Sequence, residues 1–430
     1  MHNVNLWGRV QFPTGGIVRE PSGMNRCDSC TDSIVWMRKG ENGFKPHSCS
    51  KVKDAVLFFR SEYTMNEEKY MLHALKLAER AEGDTSPNPM VGCVLVDERG
   101  IIVGEGYHHR AGEAHAEVNA LLAAGDLAKG ATAYVTLEPC SHYGRTGPCC
   151  KALAEAGVAK VVVACLDPNP LVAGRGLEYL RQAGIEVSCG MCEQQAKKLN
   201  ERFFCWITQK RPFITLKYAM TLDGKIAAST GDSKWITGED ARRFAHRLRR
   251  QHDAVLVGIG TVLADDPELT TRMVSGKNPV RVVLDSSLKI PLQAKVLNEE
   301  AQTIIFTGTE ADKQKQNALG LKKNVEVIRL PLKDGSLPIE QVVQKLSELN
   351  ITSLLVEGGS AVHGAFFDSG LADRVYAFIA PKLIGGKESL SPIGGVGSRL
   401  VASGWQLDDV EQQLLGKDIM ITGIVRKGDC

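Results

Sequence analysis

The chain has 430 residues, 43% of them hydrophobic and 24% charged, a balance that suits a globular protein of two or three domains. A formal net charge of +2 provides no basic field, which argues against nucleic acid as a partner. No apolar run approaches the roughly 18 residues of a membrane span, and no secretory signal opens the chain, so no membrane association and a cytoplasmic location are expected.

Residues 1–64 show neither helical nor strand periodicity beyond Ala55-Val-Leu-Phe-Phe59. Cys27-x-x-Cys30 followed by His47 and Cys49 offers four ligands for a zinc knuckle. The competing and favoured expectation is a disordered leader extension that is not native. Met65-Asn-Glu-Glu-Lys-Tyr-Met looks like a natural start, with Asn66 as N-cap and acidic residues in the first helical turn. Twelve cysteines in a chain this long do not make a disulfide framework. Cys93, Cys165, Cys189, Cys192, Cys205 and Cys430 read as small apolar residues.

Residues 65–190 are expected to form one domain. Met71, Leu72, Leu75 and Ala78 share a helix face, and the helix ends near Gly83. Ser86-Pro-Asn-Pro89 is a turn. Strands over 91–96 and 101–104 bracket Asp97-Glu-Arg-Gly100 as a hairpin. A helix follows His115, a strand covers 133–137, and a second helix starts near Cys149. Strand 161–165, helix 176–183 and strand 185–187 follow. This alternation predicts a layered α/β sheet. Within it, His115-Ala-Glu117, Pro139-Cys140 and Cys149 offer one imidazole and two thiols, a set suited to a tetrahedral Zn²⁺ with an open fourth position. Each ligand lies at a helix start or a strand end, where the positive end of a helix favours thiolate. A lone His-x-Glu is ordinary surface chemistry; with Pro-Cys and a further Cys it matches the zinc nucleobase deaminases. Such an ion activates water near neutral pH, and Glu117 is placed to move the protons without being a ligand.

Eight residues separate the two cysteines, where two is the common gap. The insertion carries His142-Tyr-Gly-Arg145-Thr, which suits a phosphate grip and would elsewhere be a solvated basic loop. Together with Asp167-Pro-Asn-Pro, the His115-Ala-Glu-Val and Thr136-Leu-Glu-Pro-Cys-Ser-His-Tyr-Gly-Arg-Thr stretches resemble the bifunctional riboflavin-pathway deaminase–reductases. Gly147-Pro148 departs from the family's usual Pro-Pro. The resemblance implies a cytidine-deaminase-like three-layer α/β/α fold, one zinc per chain, and a phosphorylated small molecule, a diaminopyrimidinone ribosyl 5′-phosphate, as substrate. It places Asn88, His142, Arg145, Asp167 and Asn169 against the base or the phosphoribosyl group. Val10–Gly16 and Thr31–Met37 further resemble a conceptual translation of the flavin-sensing RNA leader that precedes riboflavin operons.

Residues 191–210 read as a linker and 211–430 as a second α/β domain. Strands are expected at 213–219, 254–258, 280–284, 303–307, 325–328, 353–356 and 375–379, with helices from Glu239, over 339–349 and over 361–368. No G-x-G-x-x-G follows the first strand, so a Rossmann dinucleotide site is not supported. Instead Val356-Glu-Gly-Gly-Ser360 sets paired glycines between a buried strand and a helix start, where free backbone N–H groups suit phosphates. With Leu216-Lys-Tyr-Ala-Met-Thr-Leu-Asp-Gly-Lys, Ser233-Lys-Trp-Ile and Asp265-Asp-Pro-Glu-Leu-Thr-Thr-Arg272, it resembles the family's reductase half, related in fold to dihydrofolate reductase. That likeness implies NADPH delivering hydride to the sugar of the deaminated product. It sets Ala219, Trp235, Thr261, Asp265, Ser286 and the turn Gly359, Ser360, Ala361, Val362, His363, Gly364 and Ala365 against the dinucleotide. Ser233, Arg249, Leu269, Arg272 and Glu357 would face the substrate. For Arg249 the alternative is a solvated helix face shared with Arg242, Arg243, Arg247 and Arg250.

Two rival functions are a different nucleotide deaminase fused to an unrelated reductase, and a zinc-stabilised binding module. An assembly of identical chains is implied by the resemblance alone.

Overall fold

The computed structural model describes residues 65–426 other than 144–146 and 171. Before residue 65 it describes only the backbone of short antiparallel strands, Val10–Gln11 with Ile17–Val18, and Met24–Arg26, Trp36–Gly40 and Gly43–Lys45 together. The zinc-knuckle residues Cys27, Cys30, His47 and Cys49 lie outside the described residues, as do Arg145, Cys430 and most of the stretch read as a disordered extension.

The first domain runs α1 (Met65–Glu79), β1 (Gly92–Val96), β2 (Ile102–Tyr107), α2 (Ala116–Ala124), β3 (Thr132–Val135), α3 (Cys149–Glu155), β4 (Lys160–Val163), α4 (Arg175–Gln182) and β5 (Glu186–Cys189). The strands lie in the order β5-β4-β3-β1-β2; β5, β4 and β3 are parallel, while β1 is antiparallel to both β3 and β2. β1 is an unbroken run of buried apolar residues because both its faces are covered. Gly92 approaches Ala74 of α1, whereas Gly106, opposite Cys93 in the ladder, approaches Ala116 and Ala120 of α2. Neighbouring positions along a strand face opposite sides, so α1 and α2 cover opposite faces, as the three-layer expectation requires. A Cβ on Gly106 would lie 2.5 Å from the Ala120 nitrogen. Only glycine lets the helix that follows His115 lie this close to the sheet.

The segment expected as a linker is structured. It forms α5 (Glu193–Leu199) and α6 (Glu201–Gln209). Met191 and Ala196 are buried in the first domain's core, with Phe203 and Phe204 packed against it. Asn200, between the helices, accepts from the Met90 N–H at 2.8 Å and donates to the Met90 carbonyl at 2.9 Å. Polar residues on the outer faces hide this apolar stripe when the segment is scanned for breaks in composition.

The second domain comprises β6 (Phe213–Thr221), α7 (Glu239–Gln251), β7 (Ala254–Gly258), α8 (Ile259–Asp265), β8 (Val280–Leu284), β9 (Thr303–Gly308), α9 (Lys313–Gly320), β10 (Val325–Leu330), α10 (Ile339–Glu348), β11 (Ser353–Val356), α11 (Ser360–Asp368), β12 (Arg374–Ala380), β13 (Gln406–Leu415) and β14 (Asp418–Arg426). Its sheet has the order β10-β9-β8-β7-β11-β6-β12-β14-β13, parallel through β12 and antiparallel thereafter. Alternate strand residues feed two cores. Leu216, Leu256, Ile304, Phe306 and Val356 pack with α10 and α11, while Val255, Val257, Val283, Ile305 and Leu355 pack on the α7 side. Helices on both faces of a mainly parallel sheet, closed by an antiparallel hairpin, give the dihydrofolate-reductase-like domain expected. The hairpin β13–β14 was not anticipated, because Gln406-Leu-Asp-Asp-Val-Glu-Gln-Gln is polar and largely exposed at the sheet edge. α8 and α9 were also not anticipated, each being about two turns long.

The two domains meet where the 84–88 turn touches the end of α7. Ser86 donates to Asp253 at 2.8 Å, Arg250 pairs with Asp84 at 3.0 Å, and Arg202 donates to the Gln251 carbonyl at 3.0 Å. Among the described residues no helix is long and apolar enough to cross a membrane.

Candidate active sites

In the first domain three chain segments converge. His115 stands immediately before α2, Cys140 follows the loop after β3, and Cys149 opens α3 behind Pro148. His115 Nδ1 lies 3.2 Å from Cys149 Sγ and 3.6 Å from Cys140 Sγ, and all three ligand atoms fall within 4.8 Å of one another. A tetrahedral zinc holds nitrogen and sulfur ligands roughly 3.6 Å apart. Spacing and donor chemistry therefore both fit zinc with three protein ligands. The backbone N–H of Cys149 donates to Cys140 Sγ at 3.3 Å. The Cys149 thiol, this N–H and His115 together outweigh burial and bring the Cys140 thiol down to about 4, while Cys149 itself is pushed up.

Glu117 lies in the first turn of α2 and is buried. Burial, then the negative charge of Cys140, pushes its carboxyl up to about 7. Asn88 and His108 adjoin this cluster. His108 is buried, its ring packs edge-on to His115 at 5.3 Å between centroids, and its Nε2 is 3.1 Å from Asn88 Nδ2. Asp167 accepts from the Asn169 N–H at 2.8 Å, and burial raises its pKa. His142 is exposed and electrostatically coupled to Asp167. The structure thus brings His142 and the Asp167–Asn169 turn within electrostatic reach of each other, and Asp167 within reach of Cys140.

Glu138 was not singled out by the sequence. Its buried carboxylate accepts from the backbone N–H of Gly174 and Gly176 at 2.9 Å each, Asp167 at 3.3 Å and Leu177 at 3.4 Å. It ties the segment bearing Cys140 to the start of α4. A buried carboxylate two residues before a candidate ligand, in a strand-end turn, was the available signal.

In the second domain β7, β11 and β6 are neighbours at the point where the chain order of the strands reverses, and the C-terminal strand ends at such a point are the usual place for a ligand. Gly358 and Gly359 turn the chain from β11 into α11. A Cβ on Gly358 would meet Val257 at 2.5 Å, and Gly359 has φ of 70°. Thr261, in the first turn of α8, faces Gly359, and Val362 packs over Gly258. Ser360 to Ala365 form the first turns of α11. Within them His363 is buried between the carbonyls of Pro392 and Val356, at 3.0 and 3.1 Å, and Gly364 abuts Gly394. These contacts fix the turn rather than leave those side chains open.

Ser233 donates to Asp265 at 3.2 Å, and Lys234 pairs with the same carboxylate at 3.7 Å. Trp235 is exposed, with the Arg242 guanidinium 4.6 Å above its ring. Ala219 lies on β6, and the Ser286 carbonyl accepts from the Gly308 N–H at 3.0 Å. Leu269 is buried with φ of 56°. Arg272 is half-exposed beside Glu268 at 3.5 Å.

Arg249 does not sit on a solvated face. Its Nε and Nη2 donate to the two oxygens of Glu357 at 2.6 and 2.9 Å, its Nη1 donates to the Thr270 carbonyl at 3.0 Å, and Lys217 approaches Glu357 at 3.6 Å. Burial works against ionisation of Glu357, but the charges of Arg249 and Lys217 outweigh it and hold the carboxyl at about 2.

Both halves of the chain match known proteins. Residues 64–165 match the cytidine and deoxycytidylate deaminase zinc-binding region, and 212–421 match the RibD C-terminal domain. The chain is 51% identical over 357 residues to riboflavin biosynthesis protein RibD of Aquifex aeolicus, covering 83% of this chain and 97% of that one. It is 45% identical over 334 residues to the Escherichia coli RibD, covering 75% and 89%. A RibD structure from Acinetobacter baumannii is similar with a TM-score of 0.74 at 40% identity, covering 84% of this chain and 99% of that one. A deaminase/reductase structure from Thermotoga maritima gives the same TM-score, identity and coverage. Single proteins thus match both halves at once, which leaves no support for a fusion of unrelated enzymes. The chain belongs to the RibD family of riboflavin biosynthesis proteins.

Proposed function

We propose that this chain performs two consecutive steps on one phosphorylated pyrimidine: hydrolytic deamination of 2,5-diamino-6-(5-phosphoribosylamino)pyrimidin-4(3H)-one, then reduction of its ribosyl to a ribityl side chain. The observation that carries it is the convergence of His115, Cys140 and Cys149 beside the buried Glu117, in a chain whose two halves both match RibD.

Residues 65–190 are the deaminase and 211–430 the reductase. In the first, His115, Cys140 and Cys149 would hold zinc, which when bound supplies Lewis-acid activation of water near neutral pH. Glu117 takes one proton from the attacking water and passes it to the ring nitrogen, then carries the remaining hydroxyl proton to the amino group, which leaves as ammonia. A carboxyl poised near neutrality suits both directions of transfer. Asn88, Asp167 and Asn169 hold the base and sugar, and His142 with Arg145 binds the phosphate.

In the reductase, bound NADPH supplies hydride. The Gly359–Ala365 turn, through the open backbone N–H groups at its start, holds the dinucleotide with Thr261, Asp265, Ser286, Ala219 and Trp235. Ser233, Leu269, Arg272 and Glu357 face the substrate, with Arg249 fixing the Glu357 carboxylate. The functional protein is a cytoplasmic homo-oligomer.

Purified protein given the diaminopyrimidinone ribosyl phosphate should release ammonia without NADPH and oxidise NADPH only after that release. Silence in both assays leaves a zinc-stabilised binding module.

A further inference from the structure

Asn88 is held by one side chain that has no role in the chemistry described above. His108 follows β2, and its backbone N–H donates to the Val91 carbonyl at 2.9 Å, which fixes the residue to the hairpin beside the cluster. Its Nδ1 lies 3.1 Å from the Ala114 carbonyl, the residue immediately before His115. A carbonyl oxygen only accepts, so Nδ1 carries the hydrogen. The other nitrogen, Nε2, then offers a lone pair, and the atom of Asn88 set against it at 3.1 Å is Nδ2, a donor. The two hydrogen bonds are mutually consistent, and they fix which way the carboxamide faces. Turned the other way, Asn88 would set an oxygen lone pair against the lone pair of Nε2.

We infer that His108 is a positioning residue that sets the orientation of the Asn88 carboxamide, so that Asn88 presents its oxygen as an acceptor and the deaminase selects a base with an N–H at that edge. Among the described residues Asn88 Oδ1 has no protein partner, whereas its Nδ2 is occupied. A pyrimidinone carrying a ring N–H or an amino group beside the reacting carbon supplies the matching donor; a base with an acceptor there meets a lone pair. An oriented acceptor left unpaired by the wrong base costs binding because it is desolvated with nothing in return. The inference rests on the assignment of Asn88 to the substrate made under the proposed function.

The experiment is a double-mutant cycle in the full-length protein, with ammonia release as the readout. Zinc content and the reductase rate on the deaminated product are measured on the same samples. Asn88→Ala should raise the deaminase KM by about three- to tenfold, the effect of one lost neutral hydrogen bond, with kcat changed less because that contact is made before and during the reaction. His108→Phe keeps the ring volume, removes both hydrogen bonds, and should raise KM by a similar factor with zinc and reductase rate unchanged. In the double variant the KM should equal that of Asn88→Ala alone. His108→Gln, which retains a donor and an acceptor, should recover part of the loss. Multiplicative effects in the double variant, or loss of zinc in His108→Phe, would overturn the positioning role. A silent Asn88→Ala would instead remove the assignment of Asn88 to the substrate, and is distinguishable because it is read without touching His108.

Discussion

The Arg249 guanidinium and the Glu357 carboxylate meet as a two-pronged ion pair across 108 residues of sequence, and Lys217 closes the cluster at 3.6 Å. Removing one member leaves the other charge buried with an incomplete set of partners. Arg249→Ala should therefore lower unfolding free energy by about 3 kcal/mol, read by urea denaturation, and abolish reduction. A variant as stable as the parent would place Arg249 in contact with solvent or ligand instead.

The same pair predicts a pH dependence. Glu357 in the folded chain titrates at about 2, below the unfolded glutamate value of roughly 4.3. Its contribution is therefore fully present above the unfolded value and is lost as pH falls from there towards 2. Between these limits the parent should lose stability more steeply than Glu357→Gln, which has no carboxylate to protonate at that position. Identical acid limbs in the two denaturation profiles would contradict this.

Glu117→Gln should retain one zinc per chain and lose deamination by at least about a hundredfold, the usual range for a positioned proton carrier. Metal analysis and ammonia release measure the two halves of this statement. Reduction of the deaminated product should be unaffected.

Arg272 is half-exposed and paired only loosely with Glu268 at 3.5 Å. Arg272→Ala should raise the reductase KM by about tenfold or more, as expected for a lost charge-assisted contact, and leave deamination intact. Equal loss of both activities would point to misfolding.

Glu138 satisfies four backbone N–H groups at once. Glu138→Ala leaves these donors without their carboxylate and should cost about 3 kcal/mol or more, seen as a lower melting temperature with zinc in excess. It should also weaken substrate binding through displacement of Asp167 and Asn169.

The metal cluster was legible in the sequence because its ligands are marked by local features: a histidine at a helix start, a cysteine at a strand end, another at the next helix start. The central strands of both domains were legible for a similar reason, since a strand buried on both faces is a continuous apolar run, whereas the exposed edge hairpin β13–β14 was not. Family resemblance added the proposed substrate contacts, and among them Asp167 lies within electrostatic reach of Cys140 and His142 and is hydrogen-bonded by Asn169. Only the tertiary structure decided the partners. Arg249 shares a helix with four other arginines, and nothing local separates it from them; topology alone brings β11 and Glu357 beneath it. Glu138 is marked only by its place two residues before Cys140 and His108 by nothing local, because their partners are contributed by other segments. The cluster with which the chain announces its chemistry is therefore encoded by short-range spacing. The orientation of the groups around it is encoded by which segments the two sheets bring together.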